Sequence, residues 1–140
     1  RTRMDTLVLR LQPGDDLRAA LDAVLTQAGI GDAAFVVSGI GSLRGASIRF
    51  AGAETATLIE SDLEILTLAG TLSPDGSHLH LSVSDGAGRV SGGHAALGCV
   101  VRTTAEILVA VLPAWRFSRE PDAQTGYAEL VPRRRSSQTL

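Results

Sequence analysis

Short segments in which apolar and polar residues alternate recur along most of this sequence, separated by turns that contain glycine or proline. Their spacing of roughly 8 to 12 residues is typical of an antiparallel β-sheet or barrel. The longest apolar stretch, residues 99–112, carries most of its β-branched residues on one parity, which favours a central strand over a helix. The chain is therefore expected to fold around antiparallel strands.

One segment alone has strong helical periodicity. Asp15 or Asp16 precedes it as a candidate N-cap, and Gly29 follows it as a C-terminal stop. We therefore expect an α+β fold, with an antiparallel β-sheet or open barrel packed with one main α-helix. The apolar positions of this helix repeat at intervals of three and four, and they are Leu17, Ala20, Leu21, Val24, Leu25 and Ala28.

Glycine-rich and polar segments are expected to separate the strands. A glycine-rich turn is predicted between a short buried strand at residues 34–37 and a strand that contains Ile48 and Phe50. Residues 54–59 and 63–68 are predicted to be two further strands, split by the polar residues 60–62. Residues 91–94 are predicted to form a flexible loop.

Length and charge limit the number of domains and the kinds of partner. A chain of 140 residues is the length of one domain, predicted over residues 4–131. Residues 132–140 carry three arginines and are predicted to form a disordered basic tail. The net charge of −2 gives no overall basic field for nucleic acid or anionic lipid. The apolar content of 44% indicates an oligomer that buries part of its surface.

The single cysteine, Cys99, excludes an intrachain disulfide and cannot form a thiolate zinc site alone. Its apolar surroundings indicate a small buried side chain in a reducing compartment, so a cytoplasmic location is expected. No stretch has the roughly 20 apolar residues of a membrane span. No membrane partner is therefore expected.

The three histidines of the chain all lie within residues 70–98. His78 and His80 alternate with Leu79 and Leu81, so a strand places both imidazoles on the face opposite the core, with Cα atoms about 6 to 7 Å apart. His94 follows two glycines, where backbones can approach closely. Two or three imidazoles at this spacing suit one metal ion with Zn–N bonds of about 2.0 to 2.1 Å. The alternative is that all three are ordinary surface or interface histidines.

Two other chemical interpretations are disfavoured. Gly39, Gly41 and Gly45 form G-x-G-x-x-x-G, one residue longer than the dinucleotide fingerprint, and a strand follows them rather than a helix. No serine occupies a G-x-S-x-G elbow, which argues against a nucleophilic triad. Glu106, a carboxylate within an apolar run, and Arg102 are candidates for holding metal ligands in place or for acid–base chemistry.

Six short motifs follow one another along the chain: SGIGSL at 38–43, LTLAGT at 66–71, GSHLH at 76–80, GRVSGGH at 88–94, TAE at 104–106 and TGY at 125–127. In this order they resemble the PPC domain, the plants and prokaryotes conserved domain of plant AT-hook nuclear proteins and of stand-alone bacterial and archaeal proteins. The resemblance covers about residues 5–131. It implies a compact α+β fold that assembles as a homotrimer.

The resemblance also implies a metal site and a set of partners. Some prokaryotic members of the family bind metal through histidines, and the matching positions here are His78, His80 and His94, for zinc or a similar divalent metal. The family implies DNA or transcription-related proteins as partners besides the chain itself. An AT-hook needs an Arg-Gly-Arg core between prolines, however, and residues 132–136 lack that glycine.

Two hypotheses about function remain open. The first is a trimeric module without enzymatic activity that is tied to transcription through DNA or protein partners. The second is a metal-dependent enzyme or a small-molecule-binding protein that uses the three histidines. A metal with three neutral ligands could activate water or could be structural, and no feature of the sequence names a substrate.

Overall fold

The computed structural model describes residues 3–136. Within them, six strands form one antiparallel sheet in the order β1-β6-β2-β3-β4-β5, and β7 and β8 form a separate antiparallel hairpin. The end of β2 also pairs with β5, which closes β2, β3, β4 and β5 on one another. The elements are β1 (Asp5–Leu11), α1 (Leu17–Ala28), β2 (Ala34–Arg49), β3 (Thr57–Ser73), β4 (Gly76–Ser84), β5 (Val90–Ala95), β6 (Val101–Val111), β7 (Trp115–Pro121) and β8 (Ala128–Arg134).

The helix begins and ends at the predicted caps. The Asp16 side chain accepts a hydrogen bond from the backbone N of Ala19 at 3.0 Å, so Asp16 rather than Asp15 is the N-cap. Its second carboxylate oxygen accepts from the backbone N of Gly98 at 2.7 Å, which ties the start of α1 to the segment between β5 and β6. Gly29 ends the helix in the left-handed conformation. The prediction of a mainly antiparallel sheet with a single helix is confirmed.

The core lies between α1 and one face of the sheet, and strand alternation determines which residues reach it. Leu79, Leu81 and Val83 of β4 are buried, as Val101, Ile107 and Val109 of β6 are. The alternate residues of β4 point to the opposite face. This alternation places His78 and His80 outside the core, as predicted.

Two pairs of predicted strands are each one long strand, so the predicted turns between them were wrong. β2 continues through Gly41, where a Cβ would overlap the carbonyl oxygen of Thr104 on β6. Glycine therefore permits a close approach of strands at this point instead of ending one. β3 continues through residues 60–62, whose polar side chains are exposed and reach solvent from within the strand.

The predicted loop at residues 91–94 is part of β5, which corrects the expectation of flexibility. Gly92 lies opposite Ser82 of β4, and Gly93 lies opposite Leu81. A Cβ at Gly93 would lie 2.7 Å from the carbonyl oxygen of Arg49 on β2. The two glycines thus let β5 fit between β4 and β2, and His94 is held on a strand.

Strand β8 runs across residue 132, the position at which the sequence predicts the basic tail to begin. Pro132 lies opposite Phe117, and β8 continues to Arg134. Arg133 forms an ion pair with Glu120, and this hydrogen bond lowers the pKa of Glu120 to about 2. Residues 137–140 of the predicted tail lie outside the described residues.

Among residues 3–136, no helix has the length and apolar character that crossing a membrane requires.

Candidate metal centre

Strands β4 and β5 bring the three histidines together. His80 lies opposite His94 across this strand pair, and His78 precedes His80 on the same face of β4. The ring centroids are 4.9 Å apart for His78 and His80, 5.4 Å for His78 and His94, and 6.2 Å for His80 and His94. One ring nitrogen of each residue lies within 4.8 Å of one nitrogen of each of the others. The predicted convergence of three imidazoles is confirmed.

The neighbouring strand β3 packs closely against the backbone of β4 at a glycine. Gly70 lies opposite Leu79, and its flanking residue Thr71 lies opposite His78. A Cβ at Gly70 would overlap the carbonyl oxygen of His78 and lie 2.9 Å from the Cα of Leu79. The close contact between β3 and β4 therefore fixes where the His78 and His80 backbones lie.

The cluster borders a cleft of about 920 Å³ whose lining includes His78, His94 and three arginines. The arginines come from three different elements: Arg18 from α1, Arg49 from β2 and Arg119 from β7. A smaller depression of about 220 Å³ adjoins the other side of the cluster, between β3 and the rings of His78 and His80. A ligand in the cleft would therefore contact imidazoles and guanidiniums together.

The surroundings hold two of the imidazoles in their neutral form. Burial lowers the pKa of His94 to about 4, and the charges of Arg18 and Arg49 act in the same direction. Burial also lowers the pKa of His78, with a further contribution from the charge of Arg119. Neutral imidazole is the form that binds metal ions, so these rings are ready to act as ligands at pH 7.

Arg18 joins the helix to both histidine-bearing strands. One guanidinium nitrogen, Nη1, lies 3.0 Å from Nε2 of His94 and donates to the carbonyl oxygen of Ala95 at 2.8 Å. The other, Nη2, donates to the carbonyl oxygen of Ser77 at 3.1 Å. Because a guanidinium can only donate, Nε2 of His94 is the acceptor and Nδ1 carries the ring proton.

This tautomer leaves Nδ1 of His94 buried with no hydrogen-bond partner among residues 3–136. An unpaired buried donor costs about 1 to 3 kcal/mol, so the ring gains from a rearrangement that gives it a new partner. Tetrahedral coordination with bonds of 2.0 to 2.1 Å separates ligand nitrogens by about 3.4 Å. Each pair of ring nitrogens therefore needs to approach by about 1.4 Å at most. The donor set fits a divalent metal ion, provided that Arg18 releases Nε2.

The structure does not place Arg102 and Glu106 in the lining of the cleft. Both are on β6, which β2 and β3 separate from β4 in the sheet order. Arg102 forms an ion pair with Asp62 at 3.3 Å. Glu106 is exposed on the outer face, opposite Arg10 and Ile40, so it is not the buried carboxylate that its apolar neighbours suggested.

Sequence reasoning missed the three arginines of the cleft. Arg18 lies on α1, far along the chain from β4 and β5, and its register with them depends on the packing of the helix. Arg49 lies opposite His94 only because β2 closes on β5. No spacing in the sequence relates these residues to the histidines.

The family profile of the Plants and Prokaryotes Conserved (PCC) domain, the PPC domain named above, matches residues 1–113. The chain belongs to this family. The PCC chain is 49% identical over 122 residues to the bifunctional protein GlmU of Synechococcus sp. strain JA-2-3B'a(2-13). That match includes 87% of this chain but 19% of the relative, so the chain spans about a fifth of the length of the curated relatives it matches.

Solved structures share the fold over nearly the whole PCC chain. A hypothetical protein from Salmonella enterica is 41% identical, with a TM-score of 0.91 over 96% of this chain and 97% of that one. The metal-containing protein of Archaeoglobus fulgidus is 29% identical, with a TM-score of 0.78 over 94% and 96% of the two chains. A protein from Ralstonia eutropha JMP134 that is named as a candidate DNA-binding protein is 25% identical, with a TM-score of 0.76 over 89% of each chain.

Acidification is expected to destabilise the metal-free PCC domain between about pH 6.5 and pH 4. In that range the unfolded chain protonates His94, whose ordinary pKa is 6.5, while the folded chain with its pKa of about 4 does not. The unfolded state then binds more protons, so the free energy of unfolding falls as the pH falls. Thermal unfolding at half-unit pH steps checks this expectation, and the His94→Gln variant should give a flatter profile. Equal slopes for the parent and the variant would contradict it.

Proposed function

We propose that this PCC domain binds one divalent metal ion, zinc or a similar ion, through His78, His80 and His94. The observation that carries the proposal is the placement of one nitrogen of each residue within 4.8 Å of the others. The lowered pKa values of His78 and His94 favour the ligand form of both rings. The similarity to an archaeal protein named for its metal content supports the same conclusion.

The site has the character of a reactive or ligand-binding centre. Structural zinc sites are usually closed by a fourth protein ligand, and among the described residues no further His, Cys, Asp or Glu joins the three histidines. A divalent ion held there would supply a Lewis acid that polarises an oxygen of a bound molecule. The arginines of the cleft would bind and orient that molecule. A metal-dependent enzyme or small-molecule-binding protein is therefore the function that the geometry supports best.

Elemental analysis of protein purified without a histidine tag tests the proposal. After incubation with Zn²⁺ and dialysis, we expect about one metal ion per chain. Less than a tenth of an ion per chain would overturn the proposal. Fluorescence of the single Trp115, which lies on β7, verifies in the same samples that the protein is folded.

Arg18 competes with a metal for His94, so Arg18→Gln is expected to raise the affinity for Zn²⁺ about tenfold. A metal-bound neutral imidazole either uses its Nε2 lone pair in the bond or carries a proton there, and in both cases the Arg18 N–H must leave Nε2. A hydrogen bond that involves a charged group contributes about 1.5 to 3 kcal/mol, which sets this magnitude. Competition with a fluorescent chelator measures the affinity.

The matched variant for this prediction is Arg18→Lys. It keeps the positive charge, but a lysine has a single nitrogen and cannot donate to β4 and β5 as the two terminal guanidinium nitrogens do. The Zn²⁺ affinity of Arg18→Lys is expected to lie between those of the parent and of Arg18→Gln. Both variants should have a lower melting temperature, because they lose bonds to the carbonyl oxygens of Ser77 and Ala95. A folded Arg18→Gln protein with unchanged or weaker Zn²⁺ binding would contradict the competition.

We also propose that the chain assembles as a homotrimer through the outer face of the sheet. Val8 on β1 lies opposite Leu108 on β6, and Leu108 lies opposite Ser38 of β2. These positions continue into an apolar surface on which large side chains are exposed, at 77% for Val8 and 53% for Ile40. An exposed apolar surface that spans adjacent strands is typical of an oligomer interface. The family resemblance supports three copies.

The substitution Ile40→Asp is expected to convert the trimer into a monomer. It puts a carboxylate opposite Glu106 on the outer face, where burial of two neighbouring carboxylates against a second chain is costly. Light scattering should give three times the 14.6 kDa chain mass for the parent and a single chain mass for the variant. Val90→Asp changes a valine of similar exposure at the start of β5 and should remain trimeric. A monomeric parent would overturn the proposal.

DNA association is the second candidate function, and the name of the Ralstonia relative favours it. The arginines at the end of β8 already have partners within the chain, since Arg133 pairs with Glu120, Arg135 pairs with Asp32 and Arg134 stacks on Trp115. Fluorescence anisotropy with a labelled A·T-rich duplex tests it. Binding that weakens with a linear dependence on log salt would support DNA association, whereas no binding at low salt would exclude it.

A further inference from the structure

We infer that the cleft beside the histidines binds a small organic anion, a carboxylate or a phosphate ester, through Arg49 and Arg119, and that this anion binds together with the metal. The inference rests on the proposed metal site and adds the chemical class of its ligand. It follows from where the two arginines lie, from their unused hydrogen-bond donors and from the charge balance of the cleft.

Both arginines are placed against the histidines by strand pairing. Arg49 lies directly opposite His94 where β2 pairs with β5. Arg119 of β7 donates from Nη2 to Oγ1 of Thr71 at 2.6 Å, and Thr71, on β3, lies opposite His78 of β4. Each guanidinium is thus anchored beside one of the half-buried imidazoles, and both line the same cleft.

Neither guanidinium has a carboxylate partner within 4.0 Å among residues 3–136, whereas Arg18 has Asp22 at 3.8 Å. The Arg49 side chain makes a single hydrogen bond in that part of the chain, to the carbonyl oxygen of Ala53 at 3.3 Å. Within the same residues, the Arg119 side chain makes only the bond to Thr71. An arginine carries five N–H donors, so most donors of both side chains are available to a ligand. Half-buried arginines with free donors are suited to carboxylate and phosphate groups. One guanidinium can donate two parallel hydrogen bonds to two oxygens of such a group.

The charges of the metal-free cleft nearly cancel. Its lining includes Arg18, Arg49 and Arg119 together with Glu54, Asp75 and Glu129. Asp75 accepts a hydrogen bond from the backbone N of Arg119 at 2.9 Å and so helps to position β7. A cleft with balanced charge has little general attraction for anions.

A divalent ion on three neutral imidazoles changes this balance, because the ligands add no negative charge. The excess of two positive charges lies beside guanidiniums that already oppose a cation, so an anion that contacts both the ion and the arginines would stabilise the whole arrangement. The affinities of the two ligands must then be coupled by the same factor in both directions. The volume of about 920 Å³ has room for an organic molecule that carries the anionic group.

The test uses the full chain loaded with Co²⁺, whose visible absorption reports changes in its ligands. Metal stoichiometry is measured first, and the loaded protein is then titrated with acetate and with methylphosphonate. We expect one or both anions to change the spectrum and to raise the Co²⁺ affinity at least fivefold. In Arg49→Gln and Arg119→Gln we expect anion binding at least tenfold weaker. Without anion, Co²⁺ affinity should be equal to or higher than that of the parent, because each substitution removes a positive charge that opposes the cation. Arg44→Gln, an exposed arginine on β2 outside the cleft, is the control and should behave like the parent.

The outcomes separate the inference from the proposed function. If Co²⁺ does not bind, the proposed function and this inference both fail. If Co²⁺ binds and neither anion alters its spectrum or its affinity, the inference alone fails. The inference also fails if the arginine variants bind the anions as tightly as the parent, because the metal would then be their only partner. Tight binding of a DNA duplex that competes with the anions would assign the arginines to phosphate of nucleic acid and overturn the small-ligand assignment.

Discussion

A His80→Ala variant is expected to bind Zn²⁺ at least a hundredfold more weakly than the parent PCC domain. The substitution removes one of three nitrogen donors, and even the loss of a group that only supports a ligand typically costs 10- to 100-fold in affinity. The His80 side chain is exposed on the face of β4 opposite the buried Leu79 and Leu81, so the fold should be preserved. Chelator competition measures the affinity, and thermal unfolding of the metal-free protein measures the stability.

The matched control for this prediction is Ser82→Ala, which changes the next side chain on the same face of β4. Ser82 shares a hydrogen bond of 2.6 Å with the Oγ1 of Thr67 and does not belong to the histidine cluster. The control should bind Zn²⁺ like the parent. A His80→Ala protein whose affinity stays within threefold of the parent would remove His80 from the ligand set.

Gly70→Ala is expected to lower the free energy of unfolding by about 3 kcal/mol or more, at the upper end of what overpacking usually costs. The new Cβ would overlap the backbone carbonyl oxygen of His78. The same Cβ would lie 2.9 Å from the Cα of Leu79. Backbone atoms cannot rotate away as a side chain can, so β3 and β4 must separate. That separation also moves His78 away from His94, and the variant should lose metal affinity along with stability.

The control for Gly70 is Gly86→Ala in the turn between β4 and β5. A Cβ at Gly86 meets no atom within 4 Å, and its φ is not in the left-handed region. This variant should unfold within about 0.5 kcal/mol of the parent, as surface substitutions usually do. Denaturant unfolding followed by circular dichroism compares the two. Equal stability of Gly70→Ala and Gly86→Ala would contradict the role assigned to the close strand contact.

Alternation and capping residues predicted a large part of the fold. The period-2 pattern in β4 correctly placed Leu79 and Leu81 in the core and both β4 histidines on the other face. Asp16 and Gly29 lie at the two ends of the helix as expected. The length of β2 and the strand at residues 91–94 were not predictable, because a glycine that permits a close strand approach looks the same in a sequence as one that makes a turn. Gly41 on β2 and Gly93 on β5 are of the first kind. The length of β3 was missed because the exposed polar residues 60–62 resemble a turn in the sequence.

The candidate site was predictable only where its residues are close in sequence or match a family motif. His78 and His80 share a strand, and His94 follows the two glycines that bring β5 beside β4. Arg49 and Arg119 reach the cleft through strand closure and through the β7–β8 hairpin, which leave no local pattern. Its apolar neighbours suggested that Glu106 is buried. In β6, however, alternate side chains point to opposite faces, and the Glu106 side chain lies on the exposed face.

Diffraction from crystals grown with Zn²⁺, recorded on both sides of the zinc absorption edge, tests the central claim most directly. The account predicts one anomalous peak per chain at about 2.0 to 2.1 Å from a nitrogen of His78, His80 and His94, with the Arg18 guanidinium moved away from Nε2 of His94. A peak that contacts fewer than all three histidines, or a zinc-soaked crystal in which Arg18 still donates to His94 and no peak lies at the cluster, would contradict it.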